Sequence, residues 1–244
     1  MTDAITIDLK EVCILLPTVN ELENLRILIP DLLESLKGVS VLVIDDGSTD
    51  GSLEYLTAIQ VKYPEVRVVF RNVRLGIGSA HLLGLAEAKR ANFRFLLTMD
   101  ADLTHLVNDA KRVLYSMKNY DLVIGSRYLG QADIHGWSKQ RIFLTHFGHQ
   151  ITSKFFGSEI DMSSGLRAYR LETLPLHKMN DNCPTNYEFF FISALVYIHE
   201  NLKLHEVRVT LKQRGSGKSK MSLPLVIRGG AQLFLYALRI KRIR

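Results

Sequence analysis

Apolar positions fall into two kinds of run along this chain. Short, largely apolar runs occupy residues 12–16 (closed by Pro17), 39–44, 66–70, 93–99 and 122–124, the pattern of strands buried on both faces. Between them the apolar spacing turns helical. Residues 21–37 carry Leu22, Leu25, Leu28, Ile29, Leu32, Leu33 and Leu36 on one broad face before Gly38 stops them. Residues 53–61, 76–90 and 106–118 repeat the theme. Strands alternating with helices predict an α/β fold, a Rossmann-like and mostly parallel sheet flanked by helices with right-handed crossovers. The strand ends then gather on one edge, where ligands bind in such sheets, and Pro17, Asp46 and Asp100 converge there.

Beyond residue 129 the pattern weakens. It predicts a helix over 139–156, another over 187–199, a strand over 204–211 and a basic glycine-rich loop over 214–220. This divides the chain into a main domain, 1–220, and a tail, 221–244. The tail is apolar except for a polar line of Arg228, Gln232 and Arg239, and ends in Lys241, Arg242 and Arg244. A spanning helix would hold Arg228 inside the bilayer at a cost of about 2.5–3.5 kcal/mol, and Gly229-Gly230 weakens a helix. Two readings stand: an amphipathic helix lying in a membrane interface, with basic residues snorkelling, or a terminal helix packed on its own domain.

The 244 residues are 47% apolar, enough for a sizeable core. A net charge of +6 suits phosphate-bearing substrates, nucleic acid or an anionic membrane. Nucleic acid is set aside, because there is neither zinc-finger spacing nor a Lys/Arg run interleaved with aromatics. Cys13 and Cys183 are the two cysteines. They build no disulfide framework, so a reducing compartment is expected. The first residues show no apolar signal core, and no run reaches the roughly 18 uncharged apolar residues of a spanning helix.

The candidate chemistry begins where the 93–99 run stops at Asp100-Ala101-Asp102. Two carboxylates at a strand end can share a hard divalent cation that neutralises a diphosphate; they can also simply end the strand and cap the next helix. Asp45-Asp46-Gly47-Ser48-Thr49-Asp50 closes the second run. There Asp46 can accept from a nucleobase or ribose, or the segment is a turn with Asp50 or Ser52 as helix cap. Gly76-Ile77-Gly78 lacks the third glycine of a dinucleotide fingerprint and reads as a tight turn into a helix. A Walker loop and a Gly-x-Ser-x-Gly elbow are absent. Arg127, Arg141, Arg214 and Lys220 are too widely spaced for a charge run; Arg127, directly after a strand, is the best placed to hold phosphate. His146 and His149 share helical spacing without a carboxylate beside them, which disfavours a histidine metal site. His81 is scattered along the chain with them, and His105 near the aspartates reads as structural or solvated.

Taken in order, these motifs resemble family 2 glycosyltransferases of the GT-A fold, in particular the dolichol-phosphate mannose synthase and polyprenyl-phosphate sugar transferase branch. The matching segments are Leu16-Pro17-Thr18-Val19-Asn20-Glu21, Ile44-Asp45-Asp46-Gly47-Ser48, Leu75-Gly76-Ile77-Gly78, Met99-Asp100-Ala101-Asp102-Leu103-Thr104-His105 and Gly125-Ser126-Arg127-Tyr128. Gly136-Trp137-Ser138-x-x-Arg141, Ser163-Ser164-Gly165-Leu166-Arg167-Ala168-Tyr169 and Arg214-x-x-Gly217-x-Ser219-Lys220-Met221 follow. The resemblance implies that Pro17, Val19, Glu21, Ile44 and Asp46 line a nucleotide pocket. It implies that Asp100, Ala101, Asp102 and Thr104 surround Mg2+ or Mn2+ and the diphosphate, and that Arg127, Arg141 and Thr145 receive an acceptor phosphate. Arg214 and Lys220 would lie on a loop closing over the donor, which Arg127 also reaches. Val19 stands where the family usually has Tyr, Thr104 where Gln is frequent, and Thr145 where Ser is common.

The implied reaction is inverting transfer of a hexose from a nucleotide sugar, GDP-mannose in the first instance, to a polyprenyl or dolichyl monophosphate. The implied place is the cytoplasmic side of a membrane, with peripheral attachment or a membrane-anchoring partner subunit, since many relatives continue into transmembrane helices. Two alternatives remain: another sugar, glucose or an N-acetylhexosamine, on the same acceptor, or a non-catalytic subunit that binds nucleotide sugar.

Overall fold

A computed structural model describes residues 7–129 and 139–216. The strands are β1 (Val12–Thr18), β2 (Ser40–Asp46), β3 (Val66–Arg71), β4 (Phe95–Thr98), β5 (Leu122–Ser126), β6 (Arg167–Arg170) and β7 (Leu204–Arg208). The helices are α1 (Leu22–Ser35), α2 (Ser52–Lys62), α3 (Ile77–Arg90), α4 (Val107–Tyr115), α5 (Lys139–Phe156), α6 (Leu176–Asn182) and α7 (Glu188–His199). Among the described residues the strands form one sheet in the order β3-β2-β1-β4-β6-β5-β7.

Alternate residues of each central strand serve opposite layers. Ile14, Leu16, Val41, Val43 and Leu97 pack with Leu25, Leu28, Ile29 and Leu32 of α1 and Val113 and Leu114 of α4. Cys13, Leu15, Leu42, Ile44 and Leu96 face the other way, onto Ala80, Leu85 and Ala88 of α3 and Phe189 and Phe190 of α7. Burial on both faces is why these strands read as largely apolar runs. α1 runs continuously through Pro30, which is exposed.

The sheet is mostly parallel, as the sequence predicts; β6 lies antiparallel to both β4 and β5. The sequence reading missed both β6 and α6. β6 reads Arg-Ala-Tyr-Arg, and no apolar run marks it, because its arginines are buried by satisfying them. Arg167 is fully buried and donates to the carbonyls of Ser164, Met162 and Phe190 (each 2.8 Å) and to Ser193 Oγ (2.9 Å). Arg170 donates to the carbonyls of Met117, Lys118 and Tyr120 after α4. The predicted 204–211 strand is also shorter: β7 ends at Arg208, and Leu211 makes only an isolated bridge to His105. The tail and residues 130–138 lie outside the described residues. Among the described residues, no helix is long and apolar enough to cross a membrane.

The α3 N-terminus touches the segment before α7 closely. A Cβ added at Gly78 would lie 2.4 Å from the carbonyl oxygen of Pro184 and 2.8 Å from that of Asn186. Backbone cannot yield as a side-chain tip can. Gly78→Ala is therefore expected to cost about 1–3 kcal/mol in urea unfolding; an unchanged midpoint would contradict the close approach.

Candidate active site

Strands β1, β2, β4 and β5 point their carboxyl ends the same way, as their parallel pairings and the intervening β6 require. The loops that follow are laced together. Asn20, held at φ 52°, receives from Thr49 N–H on its Oδ1 (2.7 Å) and donates its own N–H to Ser48 Oγ (2.7 Å). Asp50 accepts from Leu22 N–H, the first of α1 (3.0 Å), and from Ser52 N–H, the first of α2 (3.1 Å). The cap expectation is corrected: Gly51, not Asp50 or Ser52, occupies the N-cap position of α2, and Asp50 receives the first amides of both helices from outside the cap position. Asp45 is buried and accepts from both Ser48 N–H (3.0 Å) and the Ser48 hydroxyl.

Its neighbour Asp46 is also buried and is paired with Arg71 at the end of β3, a residue the sequence reading did not select. Arg71 is fixed by Ser79 Oγ at 2.6 Å. Burial pushes the Asp46 carboxyl above its ordinary value against the opposing pull of Arg71 and the Leu75 and Gly76 N–H groups. Pro17, opposite Ile44 in the ladder, is half-buried, as is Val19. The Ile44 side chain lies wholly in the core, so only its backbone reaches this edge.

At the end of β4, Thr98 Oγ1 donates to the Gly165 carbonyl (2.8 Å), drawing the 163–165 segment onto the aspartate pair. A Cβ at Gly165 would stand 3.0 Å from Asp100 Oδ1. The Asp100 side chain keeps 36% of its surface, and His105 Nε2 stands 3.6 Å from its Oδ2. Burial raises the Asp100 pKa; His105 and Arg127 outweigh it and hold the carboxyl below its ordinary value. Leu103 takes φ 64°, turning the chain back so that Thr104 N–H (3.1 Å) and hydroxyl (2.6 Å) both donate to Asp102 Oδ1. Thr104 therefore acts on Asp102. Ala101 is buried between the two.

Asp102 Oδ2 accepts from Arg214 Nη1 (2.9 Å), and Arg214 Nη2 pairs with Glu21, whose other oxygen accepts from Asn24 (2.6 Å). Tyr187, just before α7, completes this side: burial, with the negative charges of Asp100, Asp102 and Glu21, raises its pKa against the pull of Arg214. Sequence reasoning missed Tyr187. His81, beneath Asp100, is fully buried between Phe189 (5.1 Å) and Phe190 (5.0 Å), and burial pushes its pKa down to about 3, so it is neutral.

Arg127, after β5, is gripped by Asp161: Nε to Oδ2 at 2.9 Å and Nη2 to Oδ1 at 2.8 Å, with Nη2 also on Ser163 Oγ. This is a bidentate fork on a carboxylate with no exposure. Among the described residues Nη1 makes no hydrogen bond, leaving one nitrogen to meet an anion. The next residue, Tyr128, stacks on His149 of α5 (3.6 Å) and donates to the Thr145 carbonyl (3.3 Å), so Thr145 stands beside the Arg127 strand end. Arg141 lies on the first turn of α5, and Lys220 lies outside the described residues.

Asp100 and Asp102 fit a hard divalent cation in donor chemistry, and the narrow gap at Gly165 keeps the Asp100 face clear of side chains. Among the described residues no group of three or more His, Cys, Asp or Glu forms a metal cluster. The remaining ligands would have to come from substrate phosphate and water, a usual arrangement for Mg2+.

Burial raises the pKa of Asp161; Arg127 more than offsets this and holds it down to about 2. A carboxylate with a depressed folded-state pKa stabilises the fold above its unfolded value near 3.9 and loses that contribution as pH falls toward 2. Asp161→Asn is expected to lose on the order of 2 kcal/mol at pH 7 and to flatten the stability profile between about pH 4 and 2. Parallel profiles for the two proteins would refute the pairing.

The Glycosyl transferase family 2 model matches residues 13–175. The chain is 31% identical to a polyprenol monophosphomannose synthase of Mycolicibacterium smegmatis, covering 86% of this chain and 80% of that one. It is 29% identical to an undecaprenyl-phosphate mannosyltransferase of Micrococcus luteus, covering 85% and 86%. Among solved structures, glucosyl-3-phosphoglycerate synthase of Mycobacterium tuberculosis, in complex with Mn2+, UDP and glucosyl-3-phosphoglycerate, superposes with a TM-score of 0.65 at 19% identity, covering 93% of this chain and 78% of that chain.

Proposed function

This chain belongs to glycosyl transferase family 2, and from that premise we propose that it transfers mannose from GDP-mannose to a polyprenyl monophosphate, with inversion. The observation that carries this reading is the pairing of two sites on one sheet edge. The Asp100–Asp102 carboxylates end β4, and the Arg127 guanidinium ends β5 with Thr145 and the first turn of α5 beside it. The named activities of the two mannosyltransferase relatives support the acceptor and the sugar.

An oxygen of the acceptor phosphate attacks the anomeric carbon. The bond from that carbon to the diphosphate breaks, and its electron pair leaves with the nucleoside diphosphate, inverting the centre. The nucleophile is already anionic near neutral pH, so no side-chain base is needed. Arg127, immobilised by Asp161, and Arg141 hold the acceptor phosphate in line and lessen its repulsion from the donor diphosphate. A divalent cation on Asp100 and Asp102, Mg2+ or Mn2+, supplies charge neutralisation to the departing diphosphate; the Mn2+ held by the solved structural neighbour supports this use of metal. Asp46 and the half-buried Pro17 and Val19 take the base.

In a radiolabelled-donor assay with polyprenyl phosphate, product formation is expected to stop when a chelator is added. Asp102→Asn is expected to lower turnover on the order of 100-fold or more without unfolding the protein. Chelator-resistant transfer, or full activity in the variant, would reject the assignment.

The reading extends to a membrane surface, with donor reached from the cytoplasmic side. Phe143, Phe147, Ile151 and Phe155 recur every fourth residue along α5, all exposed, and Lys154 stands exposed among them. Such a row spans about 18 Å and starts beside Thr145. An apolar row flanked by basic charge suits the boundary of a bilayer that holds the acceptor's tail. Replacing Phe147 with Asp is expected to reduce flotation on anionic liposomes and to raise the KM for membrane-embedded acceptor several-fold, with the donor KM unchanged. Equal flotation and equal acceptor kinetics would reject this surface.

A further inference from the structure

Arg214 is not simply a residue near the donor site. Its guanidinium makes three contacts: Nη1 to Asp102 Oδ2 (2.9 Å), Nη2 to Glu21 Oε1, and Nε to the Ser216 carbonyl (2.8 Å). The backbone around it is fixed independently. Lys212 N–H donates to the Thr104 carbonyl (3.0 Å), Gly215 N–H to the Asp102 carbonyl (3.0 Å), and Leu211 bridges His105. Asn24 ties the far side, donating to Glu21 Oε2 (2.6 Å) and to the Ser216 carbonyl (3.3 Å). The 211–216 segment is thus zipped onto the strand-end loop that carries the metal aspartates, with the arginine fork spanning two carboxylates.

These carboxylates are largely shielded: Asp102 keeps 16% of its side-chain surface and Glu21 7%. Acidic groups so placed beside Asp100 repel one another unless a cation sits among them. In this arrangement Arg214 is that cation. It takes an oxygen that a divalent ion on Asp102 would also want, and a guanidinium and a divalent ion on one carboxylate repel. Arg214 therefore has to leave Asp102 when metal arrives, yet Glu21 still offers it a carboxylate on the opposite side.

We infer that Arg214 is the resting counter-cation of Asp102, exchanged for the divalent ion on donor binding, and that Glu21 is a positioning residue that retains the displaced guanidinium so that it meets the diphosphate. This assigns Glu21 a role through Arg214 in place of the nucleotide contact implied by resemblance. It rests on the proposed function, because it takes Asp100 and Asp102 as the metal carboxylates.

The test counts free Mn2+ by its EPR signal in titrations of the full chain, first alone and then with GDP. Wild type is expected to bind Mn2+ weakly without nucleotide, and Asp102→Asn not at all. Arg214→Gln is expected to bind Mn2+ several-fold more tightly than wild type without nucleotide but several-fold less tightly with GDP, and this reversal of sign is not produced by a loosened fold. Methylguanidinium, added below denaturing concentrations to Arg214→Ala, should weaken Mn2+ binding competitively. Glu21→Gln should show the loss with GDP without the gain in its absence. Arg214→Lys, which keeps the charge but cannot span both carboxylates, should fall between wild type and Gln, and serves if the Gln variant does not fold. Equal nucleotide-free affinity in wild type and the Arg214 variants, with Asp102→Asn still abolishing binding, would overturn the exchange and leave the metal assignment standing. Wild-type binding that ignores Asp102→Asn, or no binding at all, would overturn both.

Discussion

Arg167 sits with no solvent exposure in the middle of the sheet and has a carbonyl or hydroxyl for each of its bonds: Ser164, Met162 and Phe190 carbonyls and Ser193 Oγ. An unpaired guanidinium there would be prohibitively costly, so these oxygens must stay in place for the fold to hold. All four acceptor oxygens lie just before β6 or on α7. One buried cation therefore fastens the 162–164 segment to the helix beyond it and sets the reversed strand between β4 and β5. Because β6 runs backwards, its entry, not its exit, lies at the functional edge. Asp161, Ser163 and Gly165 are delivered there as a result, against Arg127 and Asp100.

The edge itself is a set of matched charges. Asp46 has Arg71, Asp161 has Arg127, and Asp102 shares Arg214 with Glu21. Only the Asp161 pair combines zero exposure of its acid with a bidentate fork, the geometry of a fixed strut. The Arg214 pairing joins two loops far apart in sequence and depends on both being in place. The difference suits the two arginines to the different roles proposed for them, Arg127 to holding an acceptor phosphate and Arg214 to exchanging partners.

Much of the frame was readable because both faces of the central strands are covered, which turns burial into apolar runs such as 12–16 and 41–44. The two aspartate clusters were readable because they interrupt those runs. β6 was not, since its core positions are arginines whose burial is made possible by carbonyls distant in sequence. Arg71, Asp161 and Tyr187 escaped for a related reason: each acts through a partner on another element, and nothing local to it signals that partner. Arg71 did end an apolar run, the same signal that singled out Arg127, and could have been found by applying it evenly. Motif resemblance placed Glu21 at this edge, while its partners Arg214 and Asn24 were invisible in one dimension.

Asp50 touches no reacting group in any scheme drawn above, yet the leading amides of α1 and α2 both end on its carboxylate. Asp50 is exposed; what desolvation it suffers disfavours its charge, but the Ser52 hydroxyl and the two amides prevail and keep it ionised to lower pH than usual. These helices follow the loops after β1 and β2. Acidification strong enough to neutralise this one side chain would release both helix starts together. In acid the starts of α1 and α2 should accordingly loosen together, as one event on this side of the sheet.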